Sequence, residues 1–263
     1  DAAGRTVRKL SSVPPPPPFP EGDPERGPDA EDPKGLPKSK GLHRVEWDLH
    51  EDGPTLIPQT RIDWGDPSVG PRALPGKYTV KVSVDGHEAS TTVVVEQDPN
   101  VRGVSEQDLR VQHAFALEMR DAVTRLSKDV ARLRAAAEQL RDRARRLGEE
   151  KLGNEGAIGS LAQDATALAD SLDTLERRFH NPTAEVTYDI LAMKGGAQLY
   201  SRLSPLYNFV YEADGAPTQG MKEVFAGHRR ELAALEAELD GLLGAKLDDL
   251  NRRAREAVEQ AAF

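Results

Sequence analysis

Two histidines fall in helical stretches where they could ligate a metal ion. His113 and His228 each lie on or beside an apolar helix face, and imidazole nitrogens are common ligands of transition metals. A carboxylate di-metal site in a bundle needs Glu-x-x-His pairs, and a zinc protease needs His-Glu-x-x-His. Neither spacing occurs in the chain. We therefore expect both histidines to be structural, and we predict no metal ligand and no cofactor.

Two short acidic stretches carry the oxygen ligands that calcium prefers. They are residues 50–52 (His-Glu-Asp) and residues 63–66 (Asp-Trp-Gly-Asp). Neither follows the regular ligand order of an EF-hand loop, so the sequence favours solvated turn residues over calcium ligands.

Motifs for phosphate binding and for nucleophilic catalysis are absent from the sequence. Gly76 and Lys77 precede Tyr78 without the upstream glycine of a Walker loop, and no Gly-x-Ser-x-Gly elbow occurs. Residues 156–160 are interpreted as the start of a helix. Because the chain has no cysteine, thiolate nucleophiles, disulfides and thiolate zinc sites are excluded. We predict no catalytic residue, and we expect that the chain is not itself an enzyme.

The scarce aromatic residues gather in one predicted helix, at Tyr200, Tyr207, Phe209 and Tyr211. They could pack in a core or present a platform for a sugar. Core packing is the simpler interpretation, because aromatic rings fill the interior of a bundle with large apolar area.

Composition and charge narrow the classes of partner. The formal net charge is −9, and phosphate binding depends on a concentrated positive field, so nucleic acid is not expected as a partner. The arginines of residues 141–146 are interpreted as a solvated helix face. No apolar run approaches the ~20 residues that span a bilayer, so no transmembrane segment is predicted. Only 5% of the residues are aromatic and 30% are charged, which suits long solvent-exposed helices.

The longest pattern spans residues 105–147, where small or apolar residues recur at steps of three and four. This spacing predicts a long helix with a narrow apolar seam, as in a coiled coil or an extended bundle. Further helices are predicted near residues 154–180, 183–212 and 218–260. Short connections favour antiparallel neighbours, so residues 100–263 are expected to form an up-down four-helix bundle.

Two irregularities are predicted within these helices. Gly195, Gly196 and Pro205 predict a kink or a close helix contact in the third helix. In the fourth helix the apolar line shifts by one residue at Leu243, which resembles a stutter.

The N-terminal third combines a proline-rich segment with short strand patterns. Residues 11–40, which include five consecutive prolines at 14–18, are predicted to be polyproline II or disordered. A spacer is favoured, and a ligand for an aromatic groove of a partner is the alternative. Alternation at residues 42–49 and 77–84, with an Asp85-Gly86 hairpin turn and a return strand at 89–96, predicts a small antiparallel β-sandwich.

At these stretches the chain resembles a known module. Residues 1–8, 41–49 and 70–86, followed by Asp98 and Pro99, are similar to the immunoglobulin-like module of the flagellar hook-capping family. They also resemble the C-terminal region of bacterial exported proteins with sialidase-like or sortilin-like BNR/Asp-box β-propellers. The resemblance implies an Ig-like β-sandwich at residues 1–10 and 41–99, with residues 11–40 as an insertion. The resemblance also implies a helical tail after Ser105 and export to the periplasm, the cell surface or the medium. Glycosidase activity in that family belongs to the propeller, which this chain lacks. The resemblance therefore implies no catalytic residue here.

Three functions are consistent with this α+β multidomain prediction. The first is a non-catalytic structural or protein-interaction module that binds a protein partner or its own propeller. The second is the accessory C-terminal half of an exported hydrolase, glycosidase-like, whose active site lies in the propeller. The third is a self-assembly unit, a homo-oligomer formed through the helices. Because Asp1 is neither an initiator methionine nor part of a signal peptide, a fragment of a longer protein is expected.

Overall fold

The structure is a computed structural model that describes residues 1–27, 29–149 and 157–261. Its helices are α1 (Glu106–Glu149), α2 (Ala157–Phe179), α3 (Thr187–Leu191), α4 (Leu199–Glu212), α5 (Gln219–Gly241) and α6 (Leu247–Ala261). A π-helical turn at Leu242–Lys246 joins α5 to α6. The strands are β1 (Gly76–Val84) and β2 (His87–Val95). The start predicted for the second helix, near residue 154, lies outside the described residues.

The helix α1 is held at its start by a reciprocal cap. The Ser105 backbone N–H donates to Asp108 Oδ2 at 2.9 Å, and the Asp108 N–H donates to Ser105 Oγ at 3.2 Å. With 44 residues at ~1.5 Å each, the helix is about 66 Å long. Its predicted seam is buried within this chain, at Ala116, Met119, Val123, Leu126, Val130, Leu133, Ala137, Leu140 and Ala144.

The third predicted helix is two helices, α3 and α4. The backbone turns left-handed at Met193 (φ 59°), Gly195 (φ 83°) and Gly196 (φ 65°), which a continuous right-handed helix does not allow. Helical structure therefore stops between Leu191 and Leu199, and the glycine pair lies within this break instead of kinking one continuous helix. Pro205, the other predicted cause of a kink, lies inside α4.

The shift predicted in the fourth helix coincides with the π-helical turn. Leu243 lies in this turn, Leu242–Lys246, between α5 and α6. A π-helical turn accommodates one extra residue in an otherwise α-helical segment. The apolar line therefore changes register there while the chain remains helical.

The predicted Ig-like β-sandwich is wrong. Within the described residues, the only sheet is the antiparallel hairpin of β1 and β2, which runs in register from Gly76 opposite Val95 to Val84 opposite His87. Residues 42–49 form no strand, because Leu49 takes a left-handed φ of 61° and their apolar side chains Leu42, Val45 and Leu49 remain exposed. One isolated bridge pairs His50 with Arg72. The local core holds only Ala73, Tyr78 and Val95, with Val7 and Trp47 packed against it.

The described residues divide into two compact units. The first comprises Asp1–Gln59, Trp64–Thr124 and Leu203–Phe225. In it, the Gln112 side chain of α1 donates to the carbonyls of Val210 at 2.6 Å and Ala213 at 3.0 Å. The rings of Phe115 and Phe225 meet edge to face at 5.3 Å. The expected fold class, a small Ig-like β-sandwich followed by a long antiparallel four-helix bundle, is incorrect, because the described residues hold one two-stranded sheet and no sandwich.

The second unit comprises Thr60–Asp63, Arg125–Arg202 and Ala226–Phe263. Its core is leucine-rich, with Leu126, Leu133, Leu172, Leu175, Leu232 and Leu235 almost fully buried. Ion pairs join three helices to one another: Arg134–Glu176 links α1 to α2, Arg132–Asp240 links α1 to α5, and Arg178–Glu238 links α2 to α5. Because exposed ion pairs contribute little, the buried leucines supply most of the stability.

The proline-rich segment forms no helix or strand in its described part. Its ends are brought together where the Leu36 N–H donates to the Ser11 carbonyl at 2.8 Å. Gly35 packs so closely on Ser12 that a Cβ on it would lie 2.5 Å from the Ser12 carbonyl oxygen. The Ser11 and Leu36 backbones therefore close the base of a loop, and the five prolines at 14–18 are exposed.

Candidate functional site

The hairpin of β1 and β2 presents an apolar face that nothing in the described part of the chain covers fully. Tyr78, Val80, Val82 and Val84 alternate along β1 on one face. Tyr78 is buried, but the exposed fraction rises to 41% at Val80, 55% at Val82 and 61% at Val84. The hairpin is thus an arm, anchored at its base and increasingly solvent-exposed toward the Asp85-Gly86 turn.

The base of this arm is fixed by Tyr78. Its ring meets that of Trp47 edge to face at 5.5 Å, and its hydroxyl donates to the Leu74 carbonyl at 2.6 Å. The Trp47 indole N–H in turn donates to the His50 carbonyl at 2.8 Å. These contacts fix the orientation of the arm at its base.

The two outer edges of the arm differ in chemistry. The β1 strand carries Lys77 and Lys81, and lysines on an edge strand oppose the addition of another strand. The β2 strand has no lysine, arginine or proline, and its one acidic residue, Glu88, pairs with Lys81 at 2.8 Å. The β2 edge is therefore the edge that is open to strand addition.

A second cluster, in the first unit, surrounds the buried carboxylate of Glu51. Arg5 donates to both of its oxygens, at 2.7 Å and 2.6 Å. His113 Nε2 lies 2.8 Å from Oε1, and Arg120 Nη1 lies 3.7 Å from Oε2. Arg8 donates to the Glu51 main-chain carbonyl at 3.1 Å. Three segments distant in sequence thus meet at one carboxylate.

The surroundings of Glu51 decide what its carboxylate can do. Burial alone raises the pKa of Glu51, but hydrogen bonds from His113 and Arg5 outweigh that effect and lower the pKa to about 2. A carboxylate that stays ionised and accepts several hydrogen bonds is poorly suited to donate or accept a proton near neutral pH. The cluster is therefore a structural junction.

The residues considered as metal ligands are placed in different settings. His113 is bound to Glu51, and burial, the largest influence, lowers the pKa of His228. Asp66 Oδ1 accepts from the Ser68 N–H at 2.9 Å, which is the geometry of a turn residue. In residues 1–27, 29–149 and 157–261, no group of three or more histidine, aspartate or glutamate side chains is arranged to hold a metal ion.

The aromatic residues of α4 separate into two groups. Tyr200, Tyr207 and Tyr211 are buried and belong to the core. Phe209 is 52% exposed and packs on Trp64, itself 49% exposed, with ring centroids 4.7 Å apart. The sequence did not reveal this second pairing, because Trp64 lies in a loop far from α4 along the chain.

The second unit contains a buried histidine, His180, that no sequence motif indicated. His180 Nε2 lies 2.8 Å from Glu176 Oε1, and Arg134 Nη2 lies 3.1 Å from the same nitrogen. Burial by itself raises the pKa of Glu176, yet hydrogen bonds from His180 and Arg134 lower it overall. The i,i+4 spacing of Glu176, in the last turn of α2, and His180, just after its end, was the signal that could have found the pair.

Comparison with protein-family models, with curated proteins and with solved structures finds no match to this chain. The resemblance to propeller proteins, the export and the accessory role in a hydrolase therefore stay predictions. Within the described residues, no helix combines the length and the hydropathy needed to cross a membrane.

Proposed function

We propose that this chain is a protein-interaction module and that the hairpin arm is its binding surface. One observation carries the proposal: the apolar face that is buried at Tyr78 continues outward through Val80, Val82 and Val84 with growing exposure. A two-stranded hairpin is marginally stable alone, and contiguous exposed apolar surface is typical of binding sites. The partner is a polypeptide that adds an extended strand to the β2 edge.

The side chains that line β2 indicate which residues the bound strand should carry. Strand addition supplies main-chain hydrogen bonds, and alternate side chains supply specificity. On the apolar face β2 offers His87, Ala89, Thr91 and Val93, so the added strand has small or β-branched apolar residues at alternate positions.

The test uses a peptide with the sequence of residues 76–84 (GKYTVKVSV), because β1 is already complementary to β2. Its fluorescein-labelled form is titrated with the full chain and followed by anisotropy. We expect saturable binding and slower hydrogen exchange of β2 amides in the complex. Thr91→Lys, which places a charge in the centre of the apolar face of β2, is expected to weaken binding at least tenfold.

The matched control is Thr79→Lys, which places the same charge at an exposed site on the opposite face of β1. This variant is expected to bind the peptide within about twofold of the unmodified chain. Absence of peptide binding to the unmodified chain, or equal loss in both variants, would overturn the proposal.

The proposal assigns no reaction to the chain. At the Glu51 cluster, the three hydrogen bonds to the carboxylate and its low pKa support this assignment. Purified protein is expected to be inert toward a panel of glycosides and peptides. Reproducible turnover that a single substitution abolishes would contradict it.

A further inference from the structure

The exposed ring pair of Trp64 and Phe209 lies on a rigid support in the first unit. Gly65, at φ +88°, packs on α4 so closely that a Cβ would lie 3.1 Å from the Pro205 Cα. The Asp66 N–H donates to Asn208 Oδ1 at 2.9 Å, and the Tyr211 hydroxyl donates to the Asp66 carbonyl at 3.0 Å. The loop that carries Trp64 is therefore fastened to the helix that carries Phe209.

Further along the same loop, the Tyr207 hydroxyl donates to the Val69 carbonyl at 2.8 Å. A ring pair held in this way loses little conformational freedom when it binds a ligand. The two rings nevertheless leave about half of their surface in water, at 49% for Trp64 and 52% for Phe209. Such a preorganised aromatic surface is suited to an apolar, stiff ligand.

The Trp64 indole also offers a hydrogen-bond donor. Its N–H donates to no residue in the described part of the chain. A ligand with a main-chain carbonyl beside an apolar ring would satisfy the donor while its ring packs on the indole. Polyproline II helices present this combination, and aromatic-lined surfaces bind them.

This chain itself carries such a ligand. The five prolines at residues 14–18 are exposed, and the loop that holds them is closed at its base by the Leu36 to Ser11 hydrogen bond. They do not occupy the Trp64–Phe209 pair of their own chain, where both rings are half exposed. The geometry points to a second copy of this chain as the occupant: residues 14–18 of each copy bind the Trp64–Phe209 pair of the other.

An exchange of this kind is reciprocal, because each copy supplies both the proline segment and the ring pair. Two identical contacts form one closed, two-fold interface, and the second contact forms at high effective concentration once the first exists. The inferred interface uses neither the hairpin arm nor the helix seam, so it is independent of the proposed strand binding.

The first measurement is the mass of the full chain by light scattering over a concentration series. A concentration-dependent dimer is expected for the unmodified chain. Trp64→Ala is expected to weaken dimerisation at least tenfold, and so is the triple change Pro15→Ser, Pro16→Ser and Pro17→Ser. Matched controls are Tyr188→Ala, which removes an aromatic ring that is 71% exposed in the other unit, and the double change Pro33→Ser and Pro37→Ser.

The second measurement is complementation. The Trp64→Ala chain still supplies the proline segment, and the triple proline variant still supplies the ring pair. Mixing the two is expected to restore one contact and give a weak heterodimer that neither variant forms alone. A mixture that stays monomeric would overturn the inference, as would a dimer of unchanged strength in either variant.

A peptide makes the test independent of the folding of any variant. The peptide of residues 11–21 (SSVPPPPPFPE) is expected to change the tryptophan fluorescence of the unmodified chain and to dissociate its dimer, whereas the same peptide with serines at 14–18 is expected to do neither. Peptide binding to a strictly monomeric chain would exclude the second copy as the occupant. Hairpin variants such as Thr91→Lys are expected to dimerise normally. A loss of dimerisation can therefore be told apart from a loss of strand binding by the hairpin arm.

Discussion

The Glu51 carboxylate and the His113 imidazole lie 2.8 Å apart, and both side chains are buried. An ionised carboxylate only accepts hydrogen bonds, so His113 Nε2 carries the proton in this pair. The contact joins the segment before the hairpin to α1. His113, on an apolar helix face, is therefore a junction residue.

Glu51→Gln is expected to reduce the free energy of unfolding by roughly 3 kcal/mol at pH 7. The folded-state pKa, about 2, lies below the ordinary value of 4.5, so the stabilisation is fully present above about pH 4.5 and is lost as the pH falls toward 2. Urea unfolding at several pH values measures the difference. Glu46→Gln, at a carboxylate 75% exposed, is the control and should change little at any pH; a pH-independent difference for Glu51→Gln would contradict the expectation.

Gly65→Ala is expected to destabilise the first unit more than Gly103→Ala does. Both glycines have positive φ, at +88° and +76°, so each alanine adds backbone strain of about 1 kcal/mol. Only at Gly65 does the new Cβ also press on Pro205 and on the Ser204 carbonyl, since nothing lies within 4 Å at Gly103. Denaturant unfolding should show an additional loss of roughly 1–2 kcal/mol at Gly65. Equal losses would mean that the loop is not fastened to α4.

Tyr207→Phe removes only the hydroxyl that donates to the Val69 carbonyl at 2.8 Å. The loss leaves a carbonyl without its partner next to a buried ring, which costs about 1–2 kcal/mol. Tyr188→Phe is the matched control, because that side chain is 71% exposed, and its effect should stay within ~0.5 kcal/mol. Thermal unfolding of the two variants side by side distinguishes them.

Leu133→Ala tests the seam of α1 in the second unit. Leu133 is fully buried, so its truncation leaves a cavity and should cost about 2–5 kcal/mol. Leu191→Ala removes the same atoms from a side chain that is 60% exposed and should cost far less. Similar unfolding midpoints for the two variants would show that the seam does not support the fold.

The sequence correctly predicted helix α1 and the hairpin turn, because both depend on residues that are close together in the chain. Steps of three and four at residues 105–147 predict a helix, and α1 runs over Glu106–Glu149. The dipeptide Asp85-Gly86 predicts a hairpin turn, and the structure places Val84 opposite His87 on either side of it. Both signals depend on residues that are neighbours in sequence.

The prediction of a β-sandwich was wrong because a sheet depends on pairing between segments that are distant in sequence. Alternation at residues 42–49 indicates an extended segment but does not specify a partner strand, and the left-handed φ of 61° at Leu49 ends any ladder there. The Glu51 junction was missed because Arg5 lies 46 residues and His113 62 residues from it in sequence. Contacts of that separation leave no periodic signal in a single sequence.

Because the proline-rich loop is closed at its base, its length can change with little effect on the stability of the first unit. Since the Ser11 and Leu36 backbones meet directly, residues between them can be added or removed at a cost that grows only with the logarithm of loop length, about 0.6 kcal/mol for a doubling. The described part of the loop after the prolines, residues 21–27 and 29–34, is therefore a tolerant place for an inserted reporter or affinity tag. The reach of the proline segment from the unit can be tuned there without altering the folded core.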